Sequence, residues 1–340
     1  MEAQVGTPPG GTSEAGPDRN LAMELVRTTE YAALACARWI GRGDKEGADG
    51  AAVDAMRMLL DTVSMDGVVV IGEGEKDEAP MLYNGEQIGD GSAPQVDIAV
   101  DPLEGTELCA KGLPNAIATI ALAERGTMFD PGPCVYMLKM ATSRSLAHLL
   151  DIDRPLPETL KLMANEKGVP VGDLVVIMLD RDRHDGYMAE IRDVGARIRL
   201  IPHGDVSAAL TAVTEGSPVD LLYGIGGTPE GVLAAAAIQC TGGQLVGRLW
   251  PRSDAERQAA LDAGYDLDEV LDKDRLVSGK DVFFAATGVT TGEMLAGVNF
   301  SADGATTESL SMRSRSGTVR TIHARHDRAK LREIIGPRLG

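Results

Sequence analysis

The pattern of apolar and polar positions changes its period along the chain. Apolar residues recur at helical spacing from Asn20 to Arg42, and again from about Asp49 to Val63, so both segments are predicted to be helices. A continuous apolar run from Gly67 to Gly72 predicts a buried strand, and further strands are expected at 116–123 and 133–141. The first half of the chain is therefore expected to combine helices with a partly antiparallel sheet.

In the second half, strand-like runs alternate with amphipathic segments. The predicted strands are 174–179, 197–201, 219–223, 244–249 and 281–286, and the predicted helices lie near 158–168, 186–194, 206–215, 229–240 and 254–263. Such alternation is typical of a parallel sheet with crossover helices, so the fold class is α/β (α+β). Closer to the end, Thr306 to Ala324 is predicted to form a hairpin that turns at Ser316-Gly317.

The organisation of the chain follows from these patterns. Residues 1–18 lack both a basic start and an apolar core, so a disordered tail is expected and a signal peptide is not. The proline-containing segment 152–157 is interpreted as a linker, which divides the chain into an α+β half (19–157) and an α/β half (158–330). Residues 331–340 are expected to be a C-terminal tail.

Charge and cysteine content narrow the function. The 340 residues include 51 acidic and 33 basic side chains, a net charge of −18, which disfavours binding to nucleic acid or to an anionic membrane. The four cysteines show no Cys-x-x-Cys pairing and no zinc-ligand spacing, so reduced thiols and a cytoplasmic location are expected. No apolar stretch approaches the roughly 18 residues of a membrane span.

The segment 96–106 carries the strongest chemical signal. An apolar strand ends at Asp101, Pro102 interrupts it, and Glu104, Gly105 and Thr106 follow. Two carboxylates and a hydroxyl on one turn at a strand end suit Mg²⁺ or Mn²⁺, which prefer oxygen ligands and share them with phosphate. The alternative is an acidic turn exposed to solvent.

Three further acids lie beside glycines at the ends of predicted elements. Glu73 follows the strand 67–72 and is a candidate ligand, although acidic runs are usually solvated. Asp49 is either a second candidate or the N-cap of the second helix. Glu230, after a glycine-rich turn, is a metal ligand, an acceptor for a sugar hydroxyl, or a residue that complements the helix dipole.

Basic residues occupy the corresponding positions in the second half. Arg181 and Arg183 follow the strand 174–179, where two guanidinium groups can bind phosphate, and Asp205 follows the strand 197–201. A solvated charged loop and a helix N-cap are the respective alternatives. Carboxylates for divalent ions and arginines for a remote phosphate together indicate a metal-assisted phosphatase.

Several long motifs, in order from about residue 20 to 325, resemble the class II (GlpX-type) fructose-1,6-bisphosphatases. They are Gly41–Lys45, Ala48–Ala52, Ile71–Glu75, Asp77–Met81, Val96–Thr106, Arg183–Asp185 and Leu222–Gly231. The resemblance implies a layered α-β-α-β-α sandwich related to the lithium-sensitive inositol phosphatases. It also implies hydrolysis of the 1-phosphate of fructose 1,6-bisphosphate in gluconeogenesis.

The resemblance also implies roles for individual residues. Two or more Mg²⁺ or Mn²⁺ ions would be held by Asp49, Glu73, Asp101, Glu104 and Glu230, and Thr106 would orient the attacking water, with Asp101 and Glu104 completing the catalytic group. The substrate would be bound by Glu104, Gly105, Thr106, Tyr136, Arg181, Arg183, Asp205 and Gly227. Two positions depart from the family pattern. Many members have Asp where this chain has His203, and often Lys where it has Arg181.

Other functions are compatible with parts of this pattern. The closest alternative is a phosphatase for sedoheptulose 1,7-bisphosphate, inositol monophosphate or another sugar or cyclitol phosphate. A sugar-phosphate-binding regulator without catalysis is disfavoured by the intact Asp101, Glu104 and Thr106. A nucleotide-dependent dehydrogenase is disfavoured because Pro229 replaces the third glycine of the dinucleotide fingerprint. A homo-oligomer is expected, as for most soluble oligomeric enzymes.

Overall fold

A computed structural model describes residues 20–74 and 81–335. The tail predicted at 1–18 and most of the acidic run after Glu73 lie outside these ranges. The described helices are α1 (Ala22–Cys36), α2 (Lys45–Leu60), α3 (Thr106–Lys111), α4 (Leu156–Lys167), α5 (Asp185–Asp193), α6 (Asp205–Val213), α7 (Thr228–Thr241), α8 (Asp254–Asp262), α9 (Lys273–Leu276) and α10 (Arg328–Ile335).

The strands divide between two sheets. They are β1 (Asp66–Ile71), β2 (Gln87–Ile88), β3 (Gln95–Glu104), β4 (Ile117–Glu124), β5 (Tyr136–Thr142), β6 (Val175–Leu179), β7 (Arg197–Ile201), β8 (Leu221–Gly227), β9 (Gln244–Leu249), β10 (Leu271–Asp272), β11 (Phe283–Gly288), β12 (Asn299–Phe300), β13 (Gly304–Arg313) and β14 (Thr318–Asp327). The first sheet has the order β12-β13-β11-β4-β3-β1-β2, with β14 paired to β13. The second has the order β10-β9-β5-β8-β6-β7.

Helices form three layers around these sheets. Helices α1 and α2 pack on the outer face of the first sheet, whereas α4 and α5 cover the outer face of the second. Helices α6 and α7 lie between the sheets, and α7 contacts strands of both. Alanine-rich α7 is buried on nearly every side, as expected for a helix enclosed between two layers. The predicted α-β-α-β-α sandwich is thus confirmed.

The parallel sheet predicted in the second half is confirmed only for β6, β7 and β8, and is wrong for the rest of the second sheet. Only β6 pairs in parallel fashion with β7 and β8, while β5 is antiparallel to both β8 and β9. Strand β11, predicted as a member of that sheet, instead joins the first sheet between β4 and β13. Periodicity shows that a segment is a strand but does not identify its partner, because pairing depends on long-range contacts.

The sheets also cross the predicted boundary at residue 157. Strand β5, from the first half, lies in the second sheet, and β11–β14, from the second half, lie in the first. The hairpin predicted near 306–324 is confirmed as β13 and β14, which turn at Gly317 with φ of 58°. Part of the predicted C-terminal tail is helical, since α10 extends to Ile335.

Two further predictions can be compared with the described residues. All four cysteines are free, buried thiols. Within residues 20–74 and 81–335, no helix has both the length and the apolar character needed to cross a membrane.

Candidate active site

A cavity of about 710 Å³ collects the ends of elements from both sheets. It is lined by every residue predicted to act in catalysis, metal binding or substrate binding: Asp49, Glu73, Asp101, Glu104, Gly105, Thr106, Tyr136, Arg181, Arg183, Asp205, Gly227 and Glu230. These residues are widely separated in sequence. Only the tertiary fold brings them to one site.

One wall of the cavity carries acids from α2 and from the end of β1. The N-cap of α2 is Asp44, whose side chain accepts the Gly47 N–H at 2.8 Å. Asp49 therefore lies inside the helix and is not its N-cap, which was the alternative interpretation. Glu73 follows β1, and its backbone N–H donates to the Leu82 carbonyl at 2.9 Å. This contact fixes the segment that presents the carboxyl group.

The end of β3 brings the central acids and the hydroxyl together. The strand loses its regular register against β4 between Asp101 and Glu104, where Pro102 cannot donate a ladder hydrogen bond. Gly105 then adopts the left-handed conformation, with φ of 86°, and caps α3. Thr106 is the first residue of that helix. A side chain at position 105 would be strained, so the turn that carries Thr106 needs glycine.

Among the described residues of the cavity, two carboxylates have a buried oxygen with neither a hydrogen-bond donor nor an ion-pair partner. Glu104 is 4% exposed; its Oε1 accepts the Val206 N–H at 3.0 Å, but its Oε2 has no partner. The buried Oε2 of Glu230 also has no partner. Buried carboxylate oxygens are normally satisfied, because an unpaired one is costly. Unsatisfied, hard oxygen donors in an acidic cavity fit a divalent cation such as Mg²⁺ or Mn²⁺.

The electrostatics of the cavity agree with this donor chemistry. Burial, together with the nearby charge of Asp49, raises the pKa of Glu73 to about 8. Burial is also the largest cause that raises the pKa of Glu104 to about 8. The pKa of Asp101 is raised well above its ordinary value by burial and by the charges of neighbouring acids, foremost Glu73. Without a cation, therefore, these carboxylates disfavour simultaneous ionisation.

The described acids do not form a closed coordination shell by themselves. In the described part of the chain, no three Asp, Glu, His or Cys side chains are grouped closely enough to hold a metal ion. The fit to a cation therefore rests on the unpaired oxygens and on the concentration of buried negative charge.

The cavity is also lined by arginines and an aromatic ring. Arg183 donates through Nε and Nη2 to the Ile225 carbonyl, at 3.2 and 2.8 Å, and its guanidinium carbon lies 5.1 Å from the centre of the Tyr136 ring. Arg181 donates to the carbonyls of Asp180 and Pro202, both at 2.7 Å. Backbone carbonyls thus orient both guanidinium groups, a suitable arrangement for binding an anion at a defined position.

Sequence analysis missed two basic residues of this site. Arg252 lines the cavity and lies 5.3 Å from the centre of the Tyr136 ring, but only the fold reveals this position. Lys139 is 1% exposed and forms an ion pair with Asp205. Its signal in the sequence was a single lysine within an otherwise apolar strand.

His203, expected from the resemblance to replace an aspartate common in the family, lines the same cavity. Burial, followed by the charges of Arg181 and two lysines, lowers its pKa, which favours the neutral imidazole. A neutral ring can accept or donate one hydrogen bond but cannot supply the negative charge of aspartate.

Buried acids and oriented arginines that line one cavity between two sheets are expected of a phosphatase of sugar phosphates. Comparison with known proteins identifies the family. A profile of the family described as "Bacterial fructose-1,6-bisphosphatase, glpX-encoded" matches residues 19–326, and the chain therefore belongs to this family.

Individual relatives agree with the profile. The chain is 43% identical over 321 residues to fructose-1,6-bisphosphatase 1 class 2 of Escherichia coli K12, a match that covers 91% of this chain and 95% of the relative. The class 2 fructose-1,6-bisphosphatases of Escherichia coli O6:H1 and Shigella flexneri match with the same identity and coverage.

Proposed function

We propose that this chain hydrolyses the 1-phosphate of D-fructose 1,6-bisphosphate to give fructose 6-phosphate and inorganic phosphate, as a cytoplasmic enzyme of gluconeogenesis. One observation carries the proposal beyond family membership. A single cavity is lined both by buried carboxylates and by guanidinium groups that backbone carbonyls orient. A bisphosphate has two anionic ends, and this cavity offers a different environment to each.

The reacting phosphate is assigned to the acidic wall. Two or more divalent ions, Mg²⁺ or Mn²⁺, would be held there by Asp49, Glu73, Asp101, Glu104 and Glu230. When bound, such ions neutralise phosphoryl oxygens, acidify water and stabilise a leaving alkoxide. The protein contributes the fixed, buried carboxylates that make this wall attractive to cations.

Thr106 is assigned the role of orienting the attacking water. It follows the left-handed Gly105 at the start of α3, and Asp101 and Glu104 precede it on the same irregular turn. The hydroxyl can accept a hydrogen bond from water and donate one to a phosphoryl oxygen. The backbone N–H groups of Gly105 and Thr106 are assigned to the phosphate.

The remote 6-phosphate is assigned to Arg181 and Arg183. Tyr136, beside Arg183, and Asp205 and Gly227, deeper in the cavity, are assigned to the sugar. Asp205 is the first residue of α6 and is 8% exposed, so it can accept a sugar hydroxyl without competition from bulk water. A substrate without the remote phosphate would lose the arginine contacts.

The test is the release of inorganic phosphate from a panel of sugar phosphates. The panel contains fructose 1,6-bisphosphate, sedoheptulose 1,7-bisphosphate, fructose 1-phosphate and inositol monophosphate, each with Mg²⁺, Mn²⁺ or a chelator. The highest kcat/KM is expected for fructose 1,6-bisphosphate, with activity lost in chelator. A higher kcat/KM for any other member of the panel, or undiminished activity in chelator, would contradict the proposal. The expected homo-oligomer is checked on the same preparation by light scattering.

A further inference from the structure

Lys139 is a buried, charged residue whose partners Asp205 and Gly227 line the cavity. It lies on β5, in the interior of the second sheet, and only 1% of it is exposed. Lysine is almost never buried to this extent unless its charge is paired. Here the ammonium forms an ion pair with Asp205 and donates to the Gly227 carbonyl at 2.8 Å.

Glycines on neighbouring elements make room for this side chain. A Cβ at Gly226, on β8, would lie 2.9 Å from the Lys139 ammonium nitrogen and 2.1 Å from an Asp205 oxygen. A Cβ at Gly247, on β9, would lie 3.3 Å from the Lys139 Cβ. Strand β8 therefore leaves space for the ion pair, whereas on β9 a Cβ would clash first with Met137, at 2.3 Å, and would press on Lys139 as well.

Glu230 lies on the same side of the cavity. A Cβ at Gly227 would lie 1.6 Å from the Glu230 Oε2, and the carbonyl of the same glycine accepts the Lys139 hydrogen bond. The positive charge of Lys139 accordingly counteracts part of the effect of burial on the Glu230 pKa. Two buried carboxylates, Asp205 and Glu230, thus share one lysine as their nearby source of positive charge.

We propose that Lys139 is a positioning residue that serves as a built-in cation beside Asp205 and Glu230. It fixes Asp205 for the sugar, and it supplies positive charge beside Glu230, so that no divalent ion binds on this side of the cavity beyond those that Glu230 helps to hold. The inference rests on the proposed function, because it assumes that the acidic wall binds divalent ions. A charge supplied by the fold has the advantage that its position does not depend on ion concentration.

The test removes the charge and counts bound metal. In Lys139→Met, Asp205 and Glu230 are left without compensation, and such a pair of carboxylates attracts a cation. Isothermal titration of the metal-free protein with Mn²⁺ is expected to show one more bound ion per chain than in wild type. The double variant Lys139→Met/Asp205→Asn removes both charges, so its ion number is expected to return to that of wild type.

Lys167→Met is the matched control. Lys167 pairs with Asp220, which is 6% exposed, and neither residue lines the cavity. Both lysine variants are expected to lower the unfolding temperature, but only Lys139→Met is expected to change the ion number. An unchanged ion number in a folded Lys139→Met protein would overturn the inference.

A failure of Lys139→Met to fold leaves a second test. Asp205→Asn keeps the ammonium, unpaired, beside Glu230, and is expected to weaken Mn²⁺ binding by about ten- to a hundredfold, as for other residues that support metal ligands. Unchanged binding in this variant would equally overturn the inference. If the wild-type protein binds no divalent ion and releases no phosphate, the proposed function itself fails, and the two failures are thereby distinguished.

Discussion

Glu104→Gln separates the cost of a buried charge from its use in catalysis. The substitution removes the ionisable group but keeps an Oε1 atom that can accept the Val206 N–H, as the wild-type Oε1 does at 3.0 Å. The wild-type carboxyl has a pKa of about 8, against an ordinary value of 4.5. An unfolded chain ionises this group near its ordinary pKa, whereas the metal-free folded protein keeps it protonated up to about pH 8.

The sign and size of the effect follow from proton linkage. A carboxyl whose pKa is raised by folding lowers the free energy of unfolding as the pH rises above 4.5, and the loss is complete near pH 8. Each pKa unit corresponds to about 1.4 kcal/mol, so at pH 7 the metal-free fold loses up to roughly 3 kcal/mol. The metal-free Glu104→Gln protein is therefore expected to be more stable than wild type at pH 7 and equally stable at pH 4.

Catalysis should respond in the opposite direction. Loss of one fixed charge at a transition state commonly costs about 10²–10³ in rate, so kcat is expected to fall by that factor. Mg²⁺ is also expected to stabilise the variant less than wild type, because a ligand that binds only the folded state stabilises it more the more tightly it binds.

The assay is thermal unfolding at pH 4 and pH 7, with and without Mg²⁺, together with phosphate release. Asp220→Asn is the control, since Asp220 also accepts a backbone N–H, from Val175 at 2.8 Å, but is compensated by Lys167. That variant is expected to be less stable than wild type at pH 7 and to keep its response to Mg²⁺. A metal-free Glu104→Gln protein no more stable than wild type at pH 7 would refute the reasoning.

Three further predictions concern the hydroxyl, the arginine wall and a buried histidine. Thr106→Ala is expected to fold normally and to lose about 10²–10³ in kcat; near-normal turnover would remove Thr106 from the mechanism. Arg183→Ala is expected to raise KM for fructose 1,6-bisphosphate far more than KM for fructose 1-phosphate. The control Arg248→Ala, outside the cavity, should change neither KM value. Equal effects of Arg183→Ala on both substrates would place Arg183 outside the 6-phosphate site. His184 is fully buried, with Nδ1 2.7 Å from the Leu179 carbonyl and Nε2 accepting the Ile225 N–H at 2.8 Å, and burial lowers its pKa. As the pH falls, the unfolded chain therefore protonates His184 before the folded chain does, so the free energy of unfolding is expected to decrease at pH values below 6.5. The decrease should be smaller in His184→Asn. An identical pH dependence in wild type and variant would show that His184 does not cause it.

Local patterns predicted much of the secondary structure. The limits of β7 and β9 match the predicted strands, and α7 and α8 match the predicted helices within one or two residues. Motifs at strand ends likewise predicted the residues that line the cavity. A carboxylate or arginine at the end of a strand lies at the edge of the sheet, where the loops between elements form the cavity. Asp101, Glu104 and Arg183 all belong to this group.

The sequence by itself therefore determined most element types, the family and the candidate side chains for the proposed chemistry. The tertiary structure decided which strands pair, since β11 crosses to the first sheet and β5 to the second through contacts between distant segments. It also decided the electrostatics. The role inferred for Lys139 depends on Asp205, on the glycines of β8 and β9, and on burial that the local sequence around a lysine does not reveal.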